Sequence, residues 1–418
     1  MTYNVLDYGA VSGDALCTKA IQDAIDACFL SGGGEVVIPE GDFTVAGIRL
    51  RSNVTLHLLK GAHLIGSIDP EDYFAYLDDK IEPISEVVRE MSSPTVMPGV
   101  KTRCTQPYSR WNNAIIRVIN AENVAIIGDE DSYIDGRDCF DEQGEENYRG
   151  PHAINMWFVK NIVLRGYTIK NSANWAHAIQ NSENIIAENL TVLGGHDGFD
   201  VRTCDNVLIE KCEFRTGDDC IAGFDNINVT VRDCIFDSAC SMLRFGGTDV
   251  IVENCEGFAP STYGFRGSLT PEKKRERAET DETCRHTCHN VFLYYCDNRA
   301  QIRHTPGNIV IKNGKFHNPD AILNHPFGHK WCCNRPLENI TFENCLIEGI
   351  TLPSKLTSPK DEPLTLVMKN CKVIALIGFE NINIIEGENA KCVFENTTFK
   401  GFKCPSVLID GNKTGPEI

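Results

Sequence analysis

NVLIEKC at 206–212, NVTVRDC at 228–234 and DVIVENC at 249–255 repeat one pattern at intervals of 22 and 21 residues. Each begins on Asn or Asp, alternates β-branched or apolar residues with others, and ends on Cys. That suits a short strand entered through a turn. The pattern extends upstream to NIIAENL at 184–190 and NIVLRGY at 161–167, with related segments beginning at Asn53, Asn123, Asn290, Asn308 and Asn339. Strands repeating on this period without intervening helices predict a parallel β-helix, since the leucines of a leucine-rich repeat are missing. Each coil contributes about three strands, and coils stack about 4.8 Å apart as in any sheet. Cys212, Cys234, Cys255, Cys296 and Cys345 each stand six residues after their Asn or Asp, which predicts an inward-facing thiol ladder.

Length alone, 418 residues, favours two or three domains. A solenoid needs no separate cores, because each repeat packs on its neighbours. Residues 1–418 are therefore read as one all-β domain, a right-handed parallel β-helix with an N-terminal helical cap. The cap region is 1–50, where TKAIQDAIDACF (18–29) has helical apolar spacing, Asp14 or Thr18 as N-cap, and SGGG as a stop. Residues 68–112 fit no coil and read as a long excursion. PEKKRERAETDE (271–282) reads as a solvated charged insertion.

The net charge of −18 argues against nucleic acid and anionic membranes as partners. An anionic small substrate held by local arginines is compatible with it. The chain opens MTYNVLDYGAV without a basic-then-apolar leader and contains no apolar run of membrane-spanning length. Nineteen cysteines without an export signal fit reduced, buried thiols in a cytoplasmic protein.

Chemistry concentrates in GGHDGFD (194–200) and TGDDCIA (216–222). Asp197 and Asp218 are 21 residues apart, one coil, which predicts neighbouring positions on one face. Asp219 follows directly and Asp200 is close. Crowded carboxylates raise the pKa of at least one. A protonated and an ionised carboxyl side by side are what glycoside hydrolysis needs. Asp-Gly and Gly-Asp-Asp are also ordinary turn residues, but a turn does not require this cluster.

These motifs resemble glycoside hydrolase family 28, the polygalacturonase type, in its bacterial exo-acting branch. DYGAVSGDALCTKAIQDAIDAC, IDGRDCFD, RGPHAI and NSANWAHAI follow that family's order through residues 3–270, HDGFD stands where the family has Asn-Thr-Asp-Gly, and GDDC matches outright. The resemblance implies Asp218 as general acid, with Asp197 and Asp219 activating a water for inversion. Two departures stand out. SACSMLRFGG (238–247) lacks the family's Gly-His-Gly histidine and offers Arg244. YGFRGSLT (263–270) keeps an arginine, Arg266, but has Ser268 in place of the lysine of Arg-Ile-Lys. His196 is not the family's residue either, so a sugar other than plain galacturonate is an open alternative.

Arg244, Arg266 and Arg303 are candidates for bidentate recognition of a uronic acid, with neutralisation of the acidic cluster as the alternative. His196, Asp200 and Trp175 complete the expected substrate-binding set, and His177 and Arg149 share Trp175's status near the site. CRHTCH (284–289) lacks the paired spacing of a zinc site, and no metal or cofactor is expected. The expected function is exo-hydrolysis of an acidic, galacturonide-type oligosaccharide. The alternatives are a β-helix lyase, an intramolecular glycosyl transferase, or a non-catalytic carbohydrate-binding solenoid.

Overall fold

The computed structural model describes residues 1–76, 81, 110–277, 283–403 and 406–415. The chain divides into two compact units: Met1–Asp200 with Arg266–Glu279, and Val201–Phe265 with Thr280–Ile418.

In the second unit one inward position runs Val207, Val229, Val250, Ile309, Ile340 and Leu366, each paired in parallel with the next. All six are buried, because alternate residues of a strand face the same side. A second row comprises Glu213–Thr216, Ile235–Ser238, Glu256–Phe258, Lys315–His317 and Leu346–Ile350. The third uses the front halves of Ile221–Arg232 and Ser241–Glu253, then Asn290–Tyr294 and Ala321–Pro326. These three rows are the strands of the coil expected from the repeat.

Asparagine opens each coil for two reasons. Asn206, Asn228, Asp249 and Asn308 have φ of 57°, 55°, 58° and 57°, a left-handed conformation that Asn and Asp tolerate best among residues with a Cβ. Their side chains also link coil to coil: Asn228 Nδ2 donates to Asn206 Oδ1 at 2.8 Å, and Asn308 Nδ2 to Asp249 Oδ1 at 2.6 Å. A second ladder stands just before the cysteines, where Asn254 donates to Asp233, Asn313 to Asn254 and Asn344 to Asn313.

Cys212, Cys234, Cys255, Cys345 and Cys371 are buried at the following position. Each Sγ donates to the carbonyl two residues back, at 3.2–3.3 Å. Thr397 does the same through its hydroxyl in a later coil. Cys296, expected in this ladder, is not part of it. Asn290 pairs with Ser241, so NVFLYYC runs on the third row, and the backbone of Cys296 bridges to Cys332. Gly314 occupies the rung between Cys255 and Cys345, because Glu256, Lys315 and Leu346 are in register. A period-2 strand motif suits any row of a coil, and only the register tells them apart.

The first unit has the same parallel rows, among them His152–Arg165 paired with Ala114–Gly128 and with Glu183–Glu188. Helix α1, Thr18–Leu30, packs its buried Ile21, Ala24, Ile25 and Cys28 on the strands Gly34–Ile38 and Ile48–Leu50. Buried Gln22 receives Arg49 N at 2.7 Å and donates to Arg49 O at 3.0 Å. Neither expected N-cap serves. The cap position is Cys17, and the Thr18 hydroxyl instead accepts from Ala46 N at 2.9 Å. The helix stops at Ser31, followed by Gly32 and Gly33 at φ 98° and 103°.

The described ends of the 68–112 segment are short 3-10 turns, Pro70–Phe74 and Arg110–Asn112; the rest of it lies outside the described residues. Of the charged insertion, Pro271–Arg275 is helical with Thr270 as its N-cap, and 278–282 lie outside the described residues. Among the described residues no helix is long and apolar enough to cross a membrane.

Candidate active site

Asp218 and Asp219 turn the chain from Glu213–Thr216 into the strand that starts at Ile221. Two buried hydroxyls in register, Thr216 and Ser238, hold the turn by donating to the Asp218 carbonyl at 2.9 and 2.7 Å. Gly223 lies just beyond. A Cβ there would stand 1.8 Å from Val201 O, and its φ is 148°, so only glycine fits. The Asp218 side chain is half-buried, and Asp219 is 0% exposed.

Arg244 comes from the next coil, paired with Ala222. Its Nη1 lies 3.4 Å from Asp219 Oδ2. The guanidinium rests 4.0 Å from the Tyr295 ring centroid and 4.9 Å from that of Trp331. Tyr295 OH donates to Asp297 at 3.2 Å, and Arg299 Nε grips both oxygens of Asp297 at 3.1 and 2.9 Å. Arg202 stacks on Phe224 at 5.2 Å. The carboxylate pair thus meets an arginine steadied by aromatic faces. Burial, then the Asp218 charge, pushes Asp219 up to about 6, while Arg244 and a Ser241 hydrogen bond pull it down. Asp219 therefore keeps its proton to higher pH than a solvated carboxyl does.

Asp218, Asp219 and Cys240 bring donor atoms within 4.8 Å of one another. Burial, followed by the Asp219 and Asp218 charges, pushes the Cys240 thiol well up. In the CRHTCH stretch, His286 bonds to Ser261 O at 2.8 Å, Cys288 donates to Asn290 O, and His289 lies 3.8 Å from Asp320.

The first unit holds His196, Asp197, Asp200 and Trp175, all buried. HDGFD is tied to the preceding coil by Ala176 N donating to Asp197 O at 2.9 Å and by His177 Nδ1 on Gly198 O at 3.0 Å. Burial brings His177 down to about 4, and Tyr167 OH lies 3.0 Å from its Nε2. Neutral and held at both nitrogens, His177 serves the scaffold. Trp175 packs edge-on against Trp111 at 5.5 Å and near His152 at 5.3 Å.

Of the three candidate arginines, Arg244 and Arg303 lie in the second unit, where Arg244 joins the Asp218–Asp219 pair. Arg303 is absorbed by a turn: Nη1 reaches Asp205 at 2.6 Å, and its amide donates to Asp225 at 3.2 Å. Arg266 is 1% exposed, ion-paired with buried Asp138 and 5.2 Å above Tyr148. Both guanidiniums meet carboxylates far away in the chain, which spacing along the sequence does not reveal. Tyr295, Arg299, Trp331 and Tyr148 were not singled out in the sequence; only the aromatic–Arg cadence of YYCDNR (294–299) marks the first two.

Residues 91–243 match the model of the family described as glycosyl hydrolases family 28, which bears out the resemblance read from the motifs. The chain is 28% identical over 243 residues to a probable polygalacturonase of Vitis vinifera, covering 54% of this chain and 45% of that protein. It is 25% identical over 252 residues to an exo-poly-α-D-galacturonosidase of Dickeya chrysanthemi, covering 52% and 41%. The chain thus spans under half the length of these relatives. The fold matches an exopolygalacturonase of Thermotoga maritima with a TM-score of 0.68 at 18% identity, over 96% of this chain and 92% of that one.

Proposed function

We propose, taking the family 28 match as premise, that this chain is a glycoside hydrolase that cleaves an acidic, galacturonide-type oligosaccharide by carboxylate acid–base catalysis. One observation carries the reading: a half-buried Asp218 beside a fully buried Asp219 that is pushed up to about 6 and steadied by Arg244. Asp218 protonates the leaving oxygen, and Asp219 together with Asp197 draws the proton from the attacking water. The place of Asp197, like inversion and exo action, rests on the 21-residue spacing and on the family resemblance. Helix α1 is read as the cap of the first coils, supported by Gln22 on the Arg49 backbone. A reducing, cytoplasmic setting is part of the same proposal, supported by the free thiols of the described cysteines.

The test compares wild type with Asp218→Asn on a panel of oligogalacturonides in heavy-oxygen water, with products weighed by mass spectrometry. Uptake of one heavy oxygen per cleavage and a loss of about 10²–10⁴-fold in the variant are expected. Turnover untouched by the substitution removes the assigned acid, and an unsaturated product points to elimination instead.

A further inference from the structure

Asn290 opens a strand as the repeat asparagines do, yet their reason does not apply to it. Its backbone is not left-handed. The residue is 2% exposed, and its Oδ1 is buried without a hydrogen-bond partner. Burying an unmatched amide oxygen costs stability, and a leucine of similar size would avoid that cost.

The register shows what the amide faces. Asn290 stands opposite Ser241, with Ala321 on its other side. Ile221 pairs with Leu243, which sets Ser241 in turn opposite Asp219, and Cys220 N donates to Ser241 O at 3.1 Å. Asp219, Ser241 and Asn290 therefore occupy one position in three successive coils. Two residues further along, the same row carries Ile221, Leu243, Phe292 and Leu323, all buried. A hydroxyl and an amide thus interrupt an apolar interior just behind the buried carboxylate. Ser241 is 0% exposed, and its Oγ closes no hydrogen bond of ordinary length. It still lies near enough to Asp219 to favour the charged form. A hydroxyl carries one hydrogen and two lone pairs, so it serves one acceptor at a time.

We propose that Ser241 is a rotating positioning residue for Asp219, with the Asn290 amide oxygen as its second acceptor. This rests on the hydrolase reading for the role of Asp219 as base. With Asp219 ionised, Ser241 donates to the carboxylate. When Asp219 takes the proton of the attacking water, its new O–H donates to Ser241 Oγ, and the Ser241 hydrogen turns to Asn290 Oδ1. The O–H bond of Ser241 itself does not break. The proton then passes to Asp218, which has given its own to the leaving oxygen. Ser241 thus favours the charged base before the water reacts, and Asn290 favours the protonated base afterwards. The charged and titratable groups about Asp219 among the described residues are Asp218, Arg244, Cys240 and Cys288, and burial keeps both thiols protonated.

The test reads the acid limb of kcat/KM for tri-galacturonate, beside urea unfolding across pH, in the full chain carrying Asn290→Leu or Ser241→Ala. Asn290→Leu removes the second acceptor, so the limb should move down by about 0.4–1 unit and the plateau kcat fall about 2- to 10-fold. Ser241→Ala should move the limb up by a similar amount; Ser241→Thr, which keeps the hydroxyl, should stay near wild type. The double variant should match Ser241→Ala, because Asn290 acts through Ser241. In unfolding, the loss of stability as pH rises through about 6 should shrink in Asn290→Leu and deepen in Ser241→Ala. A limb that stays put in Asn290→Leu, or moves up, overturns the proposal even where the melting temperature falls. Asn290→Ala carries the same expectation if the leucine variant fails to fold. Opposite shifts in unfolding, in a chain that cleaves nothing, refute the hydrolase reading and leave the Ser241–Asn290 pair standing.

Discussion

Replacing Arg244 by Met removes a charge 3.4 Å from a fully buried carboxylate while keeping a stem that fits between Tyr295 and Trp331. At an effective dielectric of 20, two unit charges at that distance attract by about 5 kcal/mol. Desolvation of the arginine offsets part of this, and an adjacent guanidinium commonly lowers a carboxyl by about 1–3 units. Asp219 already stands at about 6 with Arg244 present. In Arg244→Met its proton should therefore persist to higher pH by about 1–3 units. Water activation needs Asp219 ionised, so rate is lost as pH falls through this pKa. The acid limb of kcat/KM should move upward by the same amount, and activity at pH about 6 should drop about 5- to 500-fold. The assay is kcat/KM for tri-galacturonate across pH, with Arg244→Lys as the charge-keeping control that stays near wild type. An acid limb that stays put in Arg244→Met, or moves to lower pH, refutes Arg244 as the group that holds Asp219 ionised.

The same burial predicts how stability varies with pH. Asp219 binds its proton more tightly folded than unfolded, so folding stability should fall as pH rises from about 4 through about 6, by about 2–3 kcal/mol in total. Asp219→Asn should abolish this fall, as urea unfolding at several pH values will show; an unchanged slope contradicts it. Gln22→Ala leaves the Arg49 amide and carbonyl buried without their partners. It should cost about 2–4 kcal/mol in thermal unfolding without altering the pH profile of turnover; a loss below about 1 kcal/mol would show that Gln22 does not hold the Arg49 backbone.

The repeat was legible because one chemical demand recurs in every coil. A left-handed turn residue whose amide also bonds the coil below is best met by Asn, and the buried turn position after it by Cys. Both needs are local, so they surface as a period of 20 to 25 residues. Asn290 misled for the same reason. NVFLYYC meets the strand demand, yet it follows a long insertion and enters on a different row. Cys296 therefore left the ladder, and Gly314 took its rung.

Asp218 and Asp219 are legible by adjacency in the chain, and the structure adds what separates them: Asp219 is sealed and holds its proton more tightly, whereas Asp218 is half-open. The arginines were harder, because a guanidinium's role depends on which carboxylate folding brings to it. Arg303 met Asp205 and Asp225, Arg266 met Asp138, and Arg244 met Asp219. Most described residues of the charged insertion are exposed as their sequence suggests, but Lys274 is half-buried beside the Tyr148 ring, with Glu146, Arg149 and Arg266 around it. Spacing along the chain determined the coil, the turns and the carboxylate pair, since those depend on contacts repeated at fixed separations. Folding alone decided which charges meet and which are sealed from water, because an ion's energy depends on its surroundings in three dimensions.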